Sequence, residues 1–326
     1  MRADYSDVRG FNYQQSSGTT SLENWLYFDP DLFEVELRRG KEYFPAFNTV
    51  RLWLSWDAYE RGPAEFLDTF EAMLSISDRL GLKVIACLFN RWHDRAAYDN
   101  GGVYLDHFIT TKEWCHYVPR YETYVRDVVG RHSGDPRILI WDICNEPMPY
   151  DVYDDEIMPL VEPELAWLRA MHAALKEADG VTPVGISSHN NLGIEGLSWL
   201  EPMSDVLLIH PYFIYDDATE LYDADRRARY EEWVARYAEY GRSVGKPVLV
   251  TETAWGHEDD DERVECLRFT LGTLAKHGIG FLPHALHYSG VADLHHPIPG
   301  TEGDLYMAFV SQDGTLRPGH EAFNEF

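Results

Sequence analysis

Two glutamates stand where a chain could keep a working pair of carboxyls. Residues 138–147 read Ile-Leu-Ile-Trp-Asp-Ile-Cys-Asn-Glu-Pro, a buried run that ends in Asn145 and Glu146 before Pro147 halts strand pairing. Residues 247–255 read Pro-Val-Leu-Val-Thr-Glu-Thr-Ala-Trp, a second buried run that ends in Glu252. A carboxyl at the end of a buried strand is costly to ionise unless it is paired or hydrogen-bonded. One such glutamate alone is most simply half of a salt bridge. Two of them in one cavity do other work: one holds a proton for a leaving group while the other attacks or activates.

For that, the two runs must lie side by side, which asks for the elements between and around them. Short apolar runs alternate with longer amphipathic ones. Strand candidates are Val8–Gln14, Asn48–Leu54, Leu82–Phe89, Ile138–Cys144, Thr182–Ser187, Val206–His210, Pro247–Thr251 and Gly280–His287. Helical spacing falls on Asp31–Tyr43, Pro63–Leu80, Thr111–Arg131, Pro159–Ala178, Asp225–Val244 and Asp259–His277, with a short helix over Gly193–Leu200 and a last one delayed to Pro318–Phe326. Eight alternations predict a closed (β/α)8 TIM barrel as one domain over residues 1–326. The rival, an open doubly wound sheet, lacks any Gly-x-Gly-x-x-Gly or phosphate loop after a strand. Long connections, Arg91–Thr110 and Tyr288–Leu316, leave the third and eighth strands at their carboxyl ends, the face where barrels build active sites. Such loops could close a cleft into a pocket and favour attack from a chain end.

In this order the residues resemble glycoside hydrolase clan A, and family five most closely. Asn145-Glu146-Pro147 looks like that clan's acid/base motif on strand four, and Glu252 like its nucleophile at the end of strand seven. Arg51, in Thr-Val-Arg-Leu-Trp, matches the strand-two arginine that steadies the nucleophile. His210 and Tyr212, in His-Pro-Tyr, match the strand-six pair whose tyrosine hydrogen-bonds it, and Gly10-Phe11-Asn12-Tyr13 looks like a first strand of the family. Two places depart from the pattern. Phe89-Asn90 stands where a histidine is usual near the end of strand three, followed by Arg91, Trp92 and His93. The usual strand-eight tryptophan is missing, and His284, His287 and Tyr288 occupy that segment.

The resemblance implies a retaining β-glycosidase on gluco- or manno-configured neutral glycosides. Cleavage through an oxocarbenium-like transition state needs one protonated carboxyl for the leaving oxygen and one carboxylate for the anomeric carbon, roughly 5–5.5 Å apart when configuration is retained. Arg51 and Tyr212 are expected to hold Glu252 ionised, its charge to keep Glu146 protonated, and Asn145 to bond the sugar's 2-hydroxyl. A sugar-binding protein on a retired barrel, a metal-dependent barrel hydrolase using the late histidines, and a transglycosylase are the alternatives, the last differing only in what attacks the intermediate.

Other side chains fall on the same face. Trp56, Trp92, Trp114 and Trp255 could serve as platforms for sugar rings or pack as core; Trp255, three residues past Glu252, is the preferred platform. Asn90, Trp92 and His287 complete the expected sugar contacts. His284, His287, His295 and His296 match no zinc spacing, and alternation puts 284 and 287 on opposite faces, so no metal or other cofactor is expected. The acidic runs Asp216-Asp217 and Glu258–Glu262 lack the order of a calcium loop, and the second opens a helix, where negative charge is favourable.

Composition narrows the partners. The 326 residues carry a net charge of −27, with lysine only six times. A surface this acidic disfavours nucleic acid, anionic lipid and polyanionic glycans; of the substrates that the resemblance implies, it favours neutral small glycosides or oligosaccharides. Cys87, Cys115, Cys144 and Cys266 have no paired spacing and read as reduced thiols. No stretch of 18 apolar residues and no apolar leader segment are visible, so the expectation is a cytoplasmic protein without a membrane span.

Overall fold

The computed structural model describes residues 4–91, 117–149, 153, 155–291 and 306–326. Its eight strands are β1 (Gly10–Asn12), β2 (Thr49–Trp53), β3 (Lys83–Asn90), β4 (Ile138–Asn145), β5 (Val184–Ser188), β6 (Leu207–Ile209), β7 (Val248–Val250) and β8 (Gly280–Phe281). They pair in sequence order, every pair parallel. A parallel bridge between Arg9 and Phe281 and a Phe281 N–H to Val8 C=O bond of 3.1 Å bring the last strand back to the first. The expected TIM barrel is what the chain forms.

The major helices fall where periodicity placed them: α2 (Pro30–Tyr43), α4 (Pro63–Arg79), α5 (Tyr117–Arg131), α6 (Met158–Ala178), α7 (Gly193–Leu200), α9 (Ala224–Val244) and α10 (Asp260–Lys276). Three short ones were not legible: α1 (Ser21–Leu26), α3 (Trp56–Arg61) and α8 (Ala218–Leu221). Each spans only one or two turns, too few for an apolar period to repeat. The terminal segment closes as a 3-10 helix over His320–Glu325. The acidic runs serve as caps: Asp217 accepts from Glu220 N–H, and Asp259 from Asp261 and Glu262 N–H. No helix among the described residues is long and apolar enough to cross a membrane.

Alternation along the strands sorts side chains into two layers. Val50 and Leu52 of β2, Val84, Ala86 and Leu88 of β3, and Trp141 and Ile143 of β4 join the large core between strands and helices. The opposite parity faces the barrel axis. At the amino end of the strands Ile85, Ile140, Leu208, Leu249 and Leu282 pack with Tyr5 and Val8 as an apolar plug. Gly185 makes room there, since a Cβ on it would lie 2.6 Å from the Leu208 side chain. One inward step further towards the carboxyl ends, the sequence changes character to Asn12, Arg51, Cys87, Asp142, Ser187 and Thr251, all buried. An apolar floor below a polar layer is thus written into the same inward positions of successive strands.

Candidate active site

Arg51 organises the polar layer. Its side chain is wholly buried, and its Nη1 donates to Glu252 Oε1 at 2.6 Å and to Asn12 Oδ1 at 2.9 Å. Nε and Nη2 reach Asp142 Oδ2 at 3.1 and 2.8 Å, and Nη2 also reaches Asn145 Oδ1 at 2.8 Å. Burial works against the guanidinium charge, but Cys87, Asp142 and Glu252 outweigh it and its pKa lies above the ordinary value. A buried charge persists only when so paired.

Glu252 follows β7, at its carboxyl end. Burial would raise its pKa; the charges of His210, Arg51 and His284 and the Tyr212 hydroxyl outweigh burial and hold it at about 2. Tyr212 Oη donates to Glu252 Oε2 at 2.9 Å. Burial and the nearby glutamates push the phenol well above its usual pKa, so it remains a donor. Glu252 is therefore a carboxylate with both oxygens engaged by donors.

Glu146 is reached by an unusual turn. The chain leaves β4 with Glu146 at φ 46° and Met148 at φ 56°. Left-handed backbone at a non-glycine residue costs about 1–3 kcal/mol and persists where surroundings over-determine it. Here Glu146 N–H bonds Ser187 C=O at 2.9 Å, and Met148 N–H bonds Glu164 Oε1 at 2.9 Å. Glu164 is itself fixed by Arg91 Nε at 2.7 Å, both buried. Oxygens of Glu146 and Glu252 and a nitrogen of His210 lie within 4.8 Å of one another. That spacing would suit a cation, but Arg51 and Tyr212 already occupy the two oxygens of Glu252.

Counting donors fixes where the protons sit. Asp142, ion-paired to Arg51, can only accept, so Ser187 Oγ gives it its hydrogen at 2.6 Å. Ser187 Oγ is 2.9 Å from Thr251 Oγ1 and must then accept there. Thr251 has spent its hydrogen, so His210 Nε2, 3.0 Å away, is the donor to it. His210 with hydrogen on Nε2 leaves Nδ1 facing Glu146 Oε1 at 2.6 Å. Two bare lone pairs do not approach to that distance, so the contact carries a proton of its own. The chain Asp142–Ser187–Thr251–His210 thereby keeps one transferable proton on the Glu146–His210 pair.

Of the expected contacts, Asn145 donates from Nδ2 to Asn90 Oδ1 at 2.9 Å, which brings Asn90 to the rim of the same cluster. Trp255 is half-buried with its ring edge-on to Tyr212, centroids 5.6 Å apart. Trp56 is buried against Tyr121 at 4.6 Å as core. Trp92, Trp114, His93, His295 and His296 lie outside the described residues. His287 sits apart from the cluster. It is buried, 3.0 Å from Arg39 Nη1 and 3.7 Å from Glu36 Oε1 of α2. The eighth strand ends at Phe281, and His284 takes the inward place instead, its Nδ1 3.9 Å from Glu252 Oε2.

Asn12, Asp142, Ser187, Thr251, Arg91 and Glu164 also belong to this network, none of them expected as a site residue. Asp142 had a signal: it is the one charged residue within Ile138–Cys144. The hydroxyls had none, because only cross-strand register shows that Ser187 and Thr251 meet.

A sequence profile described as Cellulase (glycosyl hydrolase family 5) matches residues 45–289. The chain is 24% identical over 275 residues to the probable mannan endo-1,4-beta-mannosidase F of Neosartorya fischeri, covering 79% of this chain and 55% of that protein. It therefore spans about half the length of the curated relatives it matches. In fold it is similar to the exo-beta-1,4-mannosidase Op5Man5 from Opitutaceae bacterium strain TAV5, at TM-score 0.73 and 19% identity, over 97% of this chain and 58% of that one. It is also similar to the endo-1,4-beta-D-mannanase from Thermotoga petrophila, at TM-score 0.62 and 15% identity, over 98% of each chain. By the match that spans most of its barrel, the chain belongs to glycosyl hydrolase family 5.

Proposed function

We propose that the protein is a retaining β-glycosidase, with Glu252 as nucleophile and Glu146 as general acid and base. The carrying observation is the asymmetry of two carboxyls with one oxygen of each within 4.8 Å of the other: Glu252 is held by Arg51 and Tyr212, while Glu146 meets His210 Nδ1 at 2.6 Å. Glu252 attacks the anomeric carbon as Glu146 passes its proton to the departing oxygen, giving a glycosyl ester on Glu252. Glu146 then takes a proton from water, which breaks the ester with a second inversion. The close spacing supports retention, since inverting pairs stand about 6.5–9.5 Å apart with a water between. Asn145, with its amide oriented by Arg51 and Asn90, is assigned to the 2-hydroxyl, and Trp255 to the sugar's apolar face.

We assign β-linked mannosides as the first substrates to try and glucosides second, on the mannosidase and mannanase names among the relatives and neighbours. The chain is read as one catalytic unit. Cytoplasmic residence is supported by the three cysteines among the described residues, Cys87, Cys144 and Cys266, which are buried and unpaired; Cys115 lies outside the described residues. The test is intact mass after incubation with 2-deoxy-2-fluoro mannosyl and glucosyl fluorides, followed by peptide mapping. An adduct on Glu252 is expected. A product of inverted configuration, or an adduct on another residue, would overturn the assignment.

A further inference from the structure

His284 and the indole N–H of half-buried Trp53 are polar groups that the fold takes from water and leaves unmatched. His284 is 6% exposed, yet neither Nδ1 nor Nε2 has a hydrogen-bond partner among the described residues. Trp53 Nε1, at the end of β2, is likewise buried without one. The two rings pack together with centroids 5.5 Å apart, and Trp53 also lies 5.5 Å from the Arg51 guanidinium carbon. A buried donor or acceptor left unsatisfied costs about 1–3 kcal/mol, so the place where one is kept calls for a reason. Backbone bonds fix this one: His284 N–H donates to Thr253 C=O at 3.2 Å, and Arg263 Nη2 donates to His284 C=O at 3.3 Å.

We infer that His284, backed by Trp53, reads a hydroxyl of the sugar bound over Glu252 and so sets which glycon the site accepts. The inference rests on the glycosidase reading for what is bound. His284 Nδ1 is 3.9 Å from Glu252 Oε2, closer than one sugar ring is wide, so a ring whose anomeric carbon faces Glu252 comes within reach of the imidazole. Burial, opposed by the charge of Glu252 and aided by Arg51, His210 and Arg263, lowers the pKa of His284 to about 4. Near neutral pH it is therefore an uncharged ring that donates from one nitrogen and accepts at the other, and a sugar hydroxyl meets one of the two, as acceptor or as donor. Trp53 Nε1–H adds a donor only, suited to a second sugar oxygen. A carboxylate on the sugar would have no cation from this pair to meet it.

Binding of neutral manno- and gluco-configured lactams, and of each singly deoxygenated form, to the wild type, His284→Phe and Trp53→Phe measures this contact without turnover. Calorimetry is expected to show parent lactams weakened about 10- to 100-fold by His284→Phe. One deoxy lactam should bind wild type and variant alike, because the partner hydroxyl is already gone. Trp53→Phe, which keeps an aromatic ring, should pick out a smaller loss at the same or an adjacent position. An equal loss across every deoxy form, or no loss at all, would overturn the inference, as would failure of the wild type to bind any of the lactams. Lactam binding with this pattern in a protein that cleaves no glycoside would sink the hydrolase reading and leave His284 standing.

Discussion

Replacing Thr251 by valine removes one hydroxyl, keeps the branched shape, and breaks the proton chain at its middle. In the wild type His210 must carry hydrogen on Nε2 because Thr251 Oγ1 can only accept from it. With valine, that N–H has no acceptor, a cost of about 1–3 kcal/mol in a buried site. The imidazole avoids it by releasing the Nε2 hydrogen to solvent and keeping the proton of the 2.6 Å contact on Nδ1, as a bond from neutral histidine to an ionised carboxylate. The proton needed by the leaving group is then absent from Glu146. General acid catalysis contributes about 10²–10⁴-fold, and the tautomer energy sets how much is lost, so a fall of about 10- to 100-fold is expected on poor leaving groups.

The assay is kcat/KM over a series of aryl β-glycosides whose phenols span several pKa units. Thr251→Val should steepen the dependence on leaving group: dinitrophenyl glycosides, which depart unaided, should be spared and unactivated phenyl glycosides hit. Thr251→Ser, which restores the hydroxyl, should return the wild-type slope. Equal losses on all leaving groups would refute the donor count and reduce Thr251 to packing. So would a valine variant as active as the wild type on phenyl glycosides.

Other consequences follow from the same geometry. Glu252→Ala should abolish hydrolysis, and added azide should restore some turnover as an α-glycosyl azide, detected by NMR. Tyr212→Phe removes a charge-assisted bond of 2.9 Å and should lower kcat/KM about 10- to 100-fold. It also removes one of the influences that lower the pKa of Glu252, so the acid limb of the pH profile should move up. Because that pKa falls from the ordinary 4.5 to about 2 on folding, Glu252 contributes stability above pH 4.5 that fades as pH drops towards 2, and urea midpoints should decline over that window. Arg91→Ala leaves Glu164 buried without its ion-pair partner and should cost about 3–5 kcal/mol in chemical denaturation.

The barrel and its two glutamates were legible because each rests on a local pattern. A buried strand writes itself as a short apolar run, and a strand-end glutamate is conspicuous against it, as are Arg51 within β2 and the His-Pro-Tyr after β6. The layer that gives those residues their chemistry is written across strands instead. Ser187 and Thr251 are 64 positions apart and look like ordinary strand residues; the register that sets Ser187 beside Leu208, and Leu249 in turn beside Leu208, is what brings their hydroxyls together. His284 and His287 show the limit from the other side. Alternation separated them to opposite faces, but the strand ends at Phe281, so the rule no longer governs either residue. The deciding fact was Glu36 and Arg39 on α2, 251 and 248 positions away, which draw His287 into a cluster outside the glutamate pair and leave the mouth to His284. A polar side chain near a strand end is thus assigned by the charges waiting for it, and those arrive only with the fold.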